Sequence, residues 1–115
     1  LMEHKLQAIF ENDLESVSVV CPKGRLIDIN PAGMRFMESG SKKGLVGLPC
    51  SLAVLPEDRP LYYAMMESAL LGQSSVREFR IQGLKGSVRW VNAKPVALRN
   101  GKGAIYAILV FAQDI

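Results

Sequence analysis

A chain of 115 residues, 49% apolar and 22% charged, has room for one hydrophobic core and not two. Its net charge of +3 comes from dispersed basic residues, which excludes the basic stripe with stacking aromatics that nucleic-acid binding requires. The longest apolar run, 104–112, is too short to cross about 30 Å of hydrocarbon as a helix, so no membrane contact is expected.

The N-terminal segment is charged throughout and lacks a signal-peptide pattern. Cys21 and Cys50 have no metal-ligand spacing and sit in apolar sequence, which reads as two reduced thiols in a cytoplasmic protein. A start at Leu1 and a stop within a residue of a strand read as a domain cut from a longer chain.

Residues 2–13 have the spacing of an amphipathic helix. Met2, Leu6, Ile9 and Phe10 share one face, and His4, Lys5, Gln7 and Glu11 fill the other. Residues 1–14 are therefore read as a flanking helix and 15–115 as the domain proper. Strands over 17–21 and 25–29 form a hairpin around Pro22-Lys23-Gly24. The second strand runs straight into Asn30-Pro31, a helix start in which Asn30 caps free N–H groups and Pro31 loses no hydrogen bond. That helix carries Phe36 and Met37 inward and stops at Gly40 in a left-handed conformation.

Gly44, Gly47, Pro49 and Pro56 break the next stretch, leaving single turns around Leu45 and Leu52. A longer helix follows from Pro56 to about Leu71, with Glu57-Asp58 as its start cap and Gly72 as its stop. Its only charge after Leu61 is Glu67, so it is expected to be covered on most sides. Strands over 76–81, 88–98 and 104–112 complete the chain, and Pro95 implies a bulge or an unpaired N–H. Strands at both ends with helices between them predict an α+β fold, an antiparallel sheet with helices on one face.

The last strand is apolar on both faces. Tyr106, Ile108, Val110 and Ala112 alternate with Ile105, Ala107, Leu109 and Phe111. The helices cover one face. The apolar stripe of residues 2–10 and a partner chain are expected to cover the other, making a homodimer.

This order of elements resembles the Per-Arnt-Sim (PAS) sensory family over essentially the whole chain. The likeness rests on Gly24-Arg25-Leu26 through Asn30-Pro31-Ala32, on Leu45-Val46-Gly47-Leu48-Pro49 with Leu55-Pro56-Glu57-Asp58-Arg59, on Val88-Arg89-Trp90-Val91 to Pro95-Val96 with Gly101-Lys102-Gly103, and on Phe111-Ala112-Gln113-Asp114-Ile115. The resemblance implies a five-stranded antiparallel sheet cupping a pocket, with output leaving through Asp114 and Ile115. It also implies a bacterial signalling protein in which the domain regulates an attached output domain of histidine kinase or diguanylate cyclase type. A ligand-free dimerisation module is the alternative.

On that fold the expected pocket residues are Val19, Phe36, Met37, Leu52, Leu61, Met65, Phe79, Val91, Ala93, Ile108 and Val110. The expected ligand is a small apolar or aromatic metabolite. Trp90, Leu109 and Phe111 join Met2, Leu6, Ile9 and Phe10 at the flanking-helix and dimer surface. Leu61, Met65 and Ala69, with Tyr62 and Met66, either line a cavity or are plain core. Arg89 either turns inward and selects an anion or lies on the surface.

Cys50 stands where the light-oxygen-voltage branch keeps its flavin-reactive cysteine, in a motif Gly-x-Asn-Cys-Arg-Phe-Leu-Gln. Pro49, Ser51 and Val54 replace the Asn, Arg and Gln, and Asn92 and Gln113 are expected to point away from the pocket, so a flavin is not expected. Haem ligated by histidine is not expected either, because His4 is the only histidine and Met65 or Met66 alone is a poor substitute. Ser74-Ser75 has no histidine partner and Gly101-x-Gly103 opens no helix, so the domain is not expected to be an enzyme.

Overall fold

The computed structural model describes residues 7, 8, 10, 11 and 14–115. Met2, His4, Leu6 and Ile9, and with them most of the helix expected over 2–13, lie outside those residues. Phe10 is half-buried, with the Lys42 ammonium 5.8 Å from its ring centroid.

Strands β1 (Ser16–Val20), β2 (Leu26–Ile29), β3 (Arg77–Gln82), β4 (Val88–Arg99) and β5 (Ile105–Asp114) form one antiparallel sheet in the order β2-β1-β5-β4-β3. Between β2 and β3 come α1 (Pro31–Phe36), single 3-10 turns at Cys50–Ala53 and Pro56–Asp58, and α2 (Arg59–Leu70). This is the expected α+β architecture.

Asn30 makes the strand-to-helix junction rigid. It is fully buried, and its Oδ1 accepts from the N–H of Gly33 at 2.8 Å, which is the helix cap. The same oxygen accepts from the N–H of Val17 at 2.9 Å, and Nδ2 donates to the carbonyl of Glu15 at 2.9 Å. The cap is therefore also a clamp on the start of β1. Gly33 lets α1 lie flat on the sheet, because a Cβ there would fall 2.5 Å from Ile29 Cγ1.

α1 does not run to Gly40. It stops at Phe36, and the left-handed residue is Glu38, at φ 58°. The β3–β4 turn holds it there: the Glu38 carboxylate accepts from the backbone N–H groups of Ser87 (3.0 Å) and Lys85 (3.2 Å) and from the Ser87 hydroxyl (3.0 Å). Those bonds, the Ser87 N–H foremost, also hold its carboxyl below the usual range.

The expected cap at Glu57-Asp58 is likewise replaced by a tertiary contact. Asp58 makes no cap hydrogen bond to α2. It receives Arg80 Nη2 at 2.8 Å, Arg80 Nε at 2.9 Å and the Arg80 backbone N–H at 2.8 Å, tying the start of α2 to β3. Helix α2 buries one stripe, Tyr62, Met65, Met66 and Ala69, and is not covered on most sides: Leu61 is 43% exposed and Tyr63 51%.

Two bulges set which strand residues look inward. Val19 pairs with Asp28 and Val20 with Leu26, so Ile27 is extra and β2 turns both Leu26 and Ile29 inside. Leu98 pairs with Ala107 and Arg99 with Ile105, which makes Tyr106 the extra residue in β5. The expected alternation fails at that point: Ile105 packs on the core and Tyr106 is 55% exposed. Pro95 itself is in register opposite Val110, beyond the last β3–β4 pair at Arg77 and Ala93, so no β3 partner calls on its missing N–H.

Most of the buried apolar residues described fall into two clusters, with Val17, Ala32 and Ala107 outside both. The larger joins α2 to the sheet through Tyr62, Met65, Met66, Ala69, Phe79, Val91, Ala93, Ile108 and their neighbours. The smaller comprises Leu26, Ile29 and Leu45, with Met34, Met37 and Cys50 against it.

Candidate functional site

The space between the two clusters is a cavity of about 500 Å³. Its size is that of a site for a small organic molecule. Val20, Phe79, Val91 and Val110 form the sheet wall, Leu26, Ile29 and Leu45 the wall beneath α1, and Leu52 and Tyr62 the wall toward α2. Phe36 and Met37 meet Gly83, Leu84 and Gly86 of the β3–β4 turn at one end, where the Met37 carbonyl accepts from the Leu84 N–H at 2.9 Å.

Of the residues expected to line a pocket, Phe36, Met37, Leu52, Phe79, Val91 and Val110 do so. Met65, Ala93 and Ile108 are fully buried but belong to the solid packing under α2 and do not reach the cavity. Leu61 faces out of α2 and is exposed, and of the other α2 candidates only Tyr62 reaches the cavity. Val19 is on the wrong face. Ser16, Ser18 and Val20 line the cavity, whereas Val17 and Val19 lie across from Phe111 and Leu109 on the other side of the sheet.

Cys50 and Tyr62 meet at the wall. Burial pushes the Cys50 thiol up to about 11, offset in part by the Tyr62 hydroxyl beside it. Burial, followed by the Cys50 charge, raises the Tyr62 phenol as well, so both groups are neutral at physiological pH. The Tyr62 hydroxyl is enclosed without a hydrogen-bond partner among the described residues. Its ring stands edge-on to Phe79 at 5.9 Å. Cys21 is unlike Cys50: it lies in the β1–β2 turn, not in apolar surroundings, and the N–H of Arg25 lowers its pKa.

Arg89 takes neither of the two expected positions. It sits opposite Ile81, on the same sheet face as Val91, with its guanidinium 5.0 Å from the Phe36 ring and Nη1 2.8 Å from Asp114 Oδ2. Its charge is engaged by Asp114, and it does not line the cavity. The pair instead joins the end of β5 to a side chain of the cavity wall. Ile115 is tied to the same place, its N–H donating to the Trp90 carbonyl at 3.1 Å. On the opposite face, Trp90 is half exposed beneath the Arg80 guanidinium (5.3 Å), and Leu109 and Phe111 are half-buried.

The sequence model of the PAS fold matches residues 10–115, and the chain belongs to that family. Domains of the family are generally sensory or regulatory. Among solved structures, the PAS domain of a protein from Colwellia psychrerythraea is similar at 20% identity and a TM-score of 0.89, over 100% of this chain and 98% of that one. A domain of a sensory box sensor histidine kinase/response regulator from Geobacter sulfurreducens is similar at 18% identity and a TM-score of 0.83, over 98% and 94%. An RNA-binding light-oxygen-voltage receptor is similar at 17% identity and a TM-score of 0.83, over 99% of this chain and 33% of that one. No curated protein matches the chain.

The residues at the cavity do not fit a flavin. Among the described residues no lysine, arginine or asparagine lines it to meet a phosphate or the polar edge of the ring, and Gln82, an exposed residue, is the one amide side chain there. Asn92 and Gln113 pair with each other across β4 and β5 and do not line the cavity.

Proposed function

We propose that this PAS domain senses a small, predominantly apolar molecule held in the cavity and passes the occupancy of that site to an attached output domain. The uncharged cavity of about 500 Å³ between the two packed clusters carries the reading. The signal leaves through Asp114 and Ile115. A ligand that displaces the Phe36 wall acts on the Arg89–Asp114 pair, and it shifts the domain between two arrangements to the extent that it binds one of them better.

In this reading residues 1–14 flank the domain, the domain is not itself an enzyme, and the protein works in the cytoplasm as a homodimer. The half-exposed Trp90 and exposed Val88 and Tyr106 support pairing through the outer sheet face. The attached output is of histidine kinase or diguanylate cyclase type, in keeping with the similar Geobacter sulfurreducens sensor domain. The same outer face favours a second reading, a dimerisation module that needs no ligand.

Native mass spectrometry of protein incubated with a metabolite extract separates the two. A dimer carrying an added small-molecule mass is expected. A dimer that gains no mass supports the second reading, and a bare monomer sinks both.

A further inference from the structure

Strand β1 reads Ser16-Val17-Ser18-Val19-Val20, and its register turns the two serines, not Val17 and Val19, toward the cavity. Val17 is buried on the opposite face, so β1 is enclosed on both sides, and the wall it turns to the cavity carries hydroxyls where core walls are normally apolar. Ser16 is only 7% exposed, and its Oγ lies 3.0 Å from where a Cβ on Gly33 would stand, so it faces the bare backbone of α1. Among the described residues neither serine hydroxyl has a hydrogen-bond partner. A hydroxyl brings one donor and two acceptor sites, and neither Oγ is fully enclosed, so both are open to the cavity space. Hydroxyls on an otherwise apolar wall are groups that a ligand can address.

We propose that Ser16 and Ser18 form the polar edge of the ligand site and hydrogen-bond an uncharged, largely apolar molecule bearing oxygen or nitrogen atoms along one side. The inference rests on the ligand-sensing reading above and adds the class of ligand. Side chains two apart on a strand project about 7 Å from each other, which sets the reach between the two contacts. Charged ligands are disfavoured because no ionised side chain among the described residues lines the cavity and the Arg89 guanidinium over the Phe36 ring is engaged by Asp114.

The test uses three probes of equal size: para-methoxyacetophenone, its hydrocarbon isostere para-ethylcumene, and the anion para-methoxybenzoate. Each is titrated into wild type and into the Ser16→Ala/Ser18→Ala double variant, with the methyl resonances of Val20 and Val110 as the readout. The double variant is expected to bind the ketone at least about threefold more weakly while the hydrocarbon binds as well or better. In wild type the benzoate binds more weakly than the ketone.

Equal changes for ketone and hydrocarbon, no change for either, or benzoate binding as tightly as the ketone overturn the inference and leave the cavity as a ligand site. No binding of any probe to wild type overturns both. The thermal midpoint of the double variant is expected to equal or exceed that of wild type. Ser18→Ala alone, at the half-buried position, shifts the ketone affinity in the same direction by a smaller factor.

Discussion

The inner face of the sheet is packed solid under α2 and hollow under α1. Under α2, Met65, Ala93 and Ile108 are wholly excluded from solvent and interlock in one cluster. Under α1 the smaller cluster stands apart, and the cavity fills the gap. Helix length accounts for the difference. The 12 residues of α2 set Tyr62, Met65, Met66 and Ala69 at helical spacing, a continuous ridge that fills the groove below. The 6 residues of α1 end at Phe36, and the segment after the left-handed Glu38 is broken by glycine and proline, so no comparable ridge exists to fill its half. The fold therefore concentrates its packing in one half and its open space in the other.

Removing bulk from the solid half is the strongest way to break that contrast. Met65→Ala is expected to lower the unfolding free energy by about 2–5 kcal/mol, measured by chemical denaturation. A loss below about 1 kcal/mol would mean the packing under α2 is slack, and the two halves would no longer differ.

Adding bulk sharpens the same comparison. Ala93→Leu in the solid half is expected to cost about 1–3 kcal/mol, because no space receives the added atoms. Val110→Leu, at the cavity wall, places one methylene in open space and is expected to leave stability unchanged or raise it by up to about 0.8 kcal/mol. Equal costs at the two positions would place the emptiness elsewhere.

The smallest expected effect concerns the ion pair that seats α2 on β3. The Arg80 guanidinium and N–H hold the Asp58 carboxyl at about 2. Its value in the unfolded chain is about 3.9. Because the folded value is depressed, the stabilisation is fully present above the unfolded value and is lost as pH falls through the folded one. Thermal midpoints recorded on acidification through that window are expected to fall, and Asp58→Asn to remove that part of the fall. An unchanged slope in the variant would assign the acid sensitivity to other carboxylates.

The fold was legible because its signals are local. Asn30-Pro31 announces a helix start whatever surrounds it, and the glycine turns and alternating strands fix the element order that the PAS family shares. Part of the cavity wall was legible for the same reason, as Phe36, Met37, Leu52, Phe79, Val91 and Val110 follow from that order. Val19 illustrates what was not. Alternation separates Val17 and Val19 from Ser16 and Ser18, but it does not say which pair faces in. The apolar pair was the natural choice, and the register with Leu109 and Phe111 reverses it. The pairing of β5 with both β1 and β4 supplied a usable signal, since its outer face is as apolar as its inner one and needs apolar neighbours.

Asp58 was misread as a helix cap and Glu38 drew no reading, both on the same ground. A carboxylate near a helix end reads as part of that helix, yet each here serves a partner far along the chain, Glu38 at Lys85 and Ser87 and Asp58 at Arg80. Such partners become neighbours only when the sheet closes.

By itself the sequence determined the family, the order of helices and strands, and the capped junction at Asn30, because each depends on residues close in the chain. Tertiary structure alone decided that the serines of β1 look inward, that Arg89 binds Asp114 over the Phe36 ring, and that the space under α1 stays open. Bulges at Ile27 and Tyr106, the pairing register and the fit of helix to sheet are relations between distant segments, and no single segment encodes them.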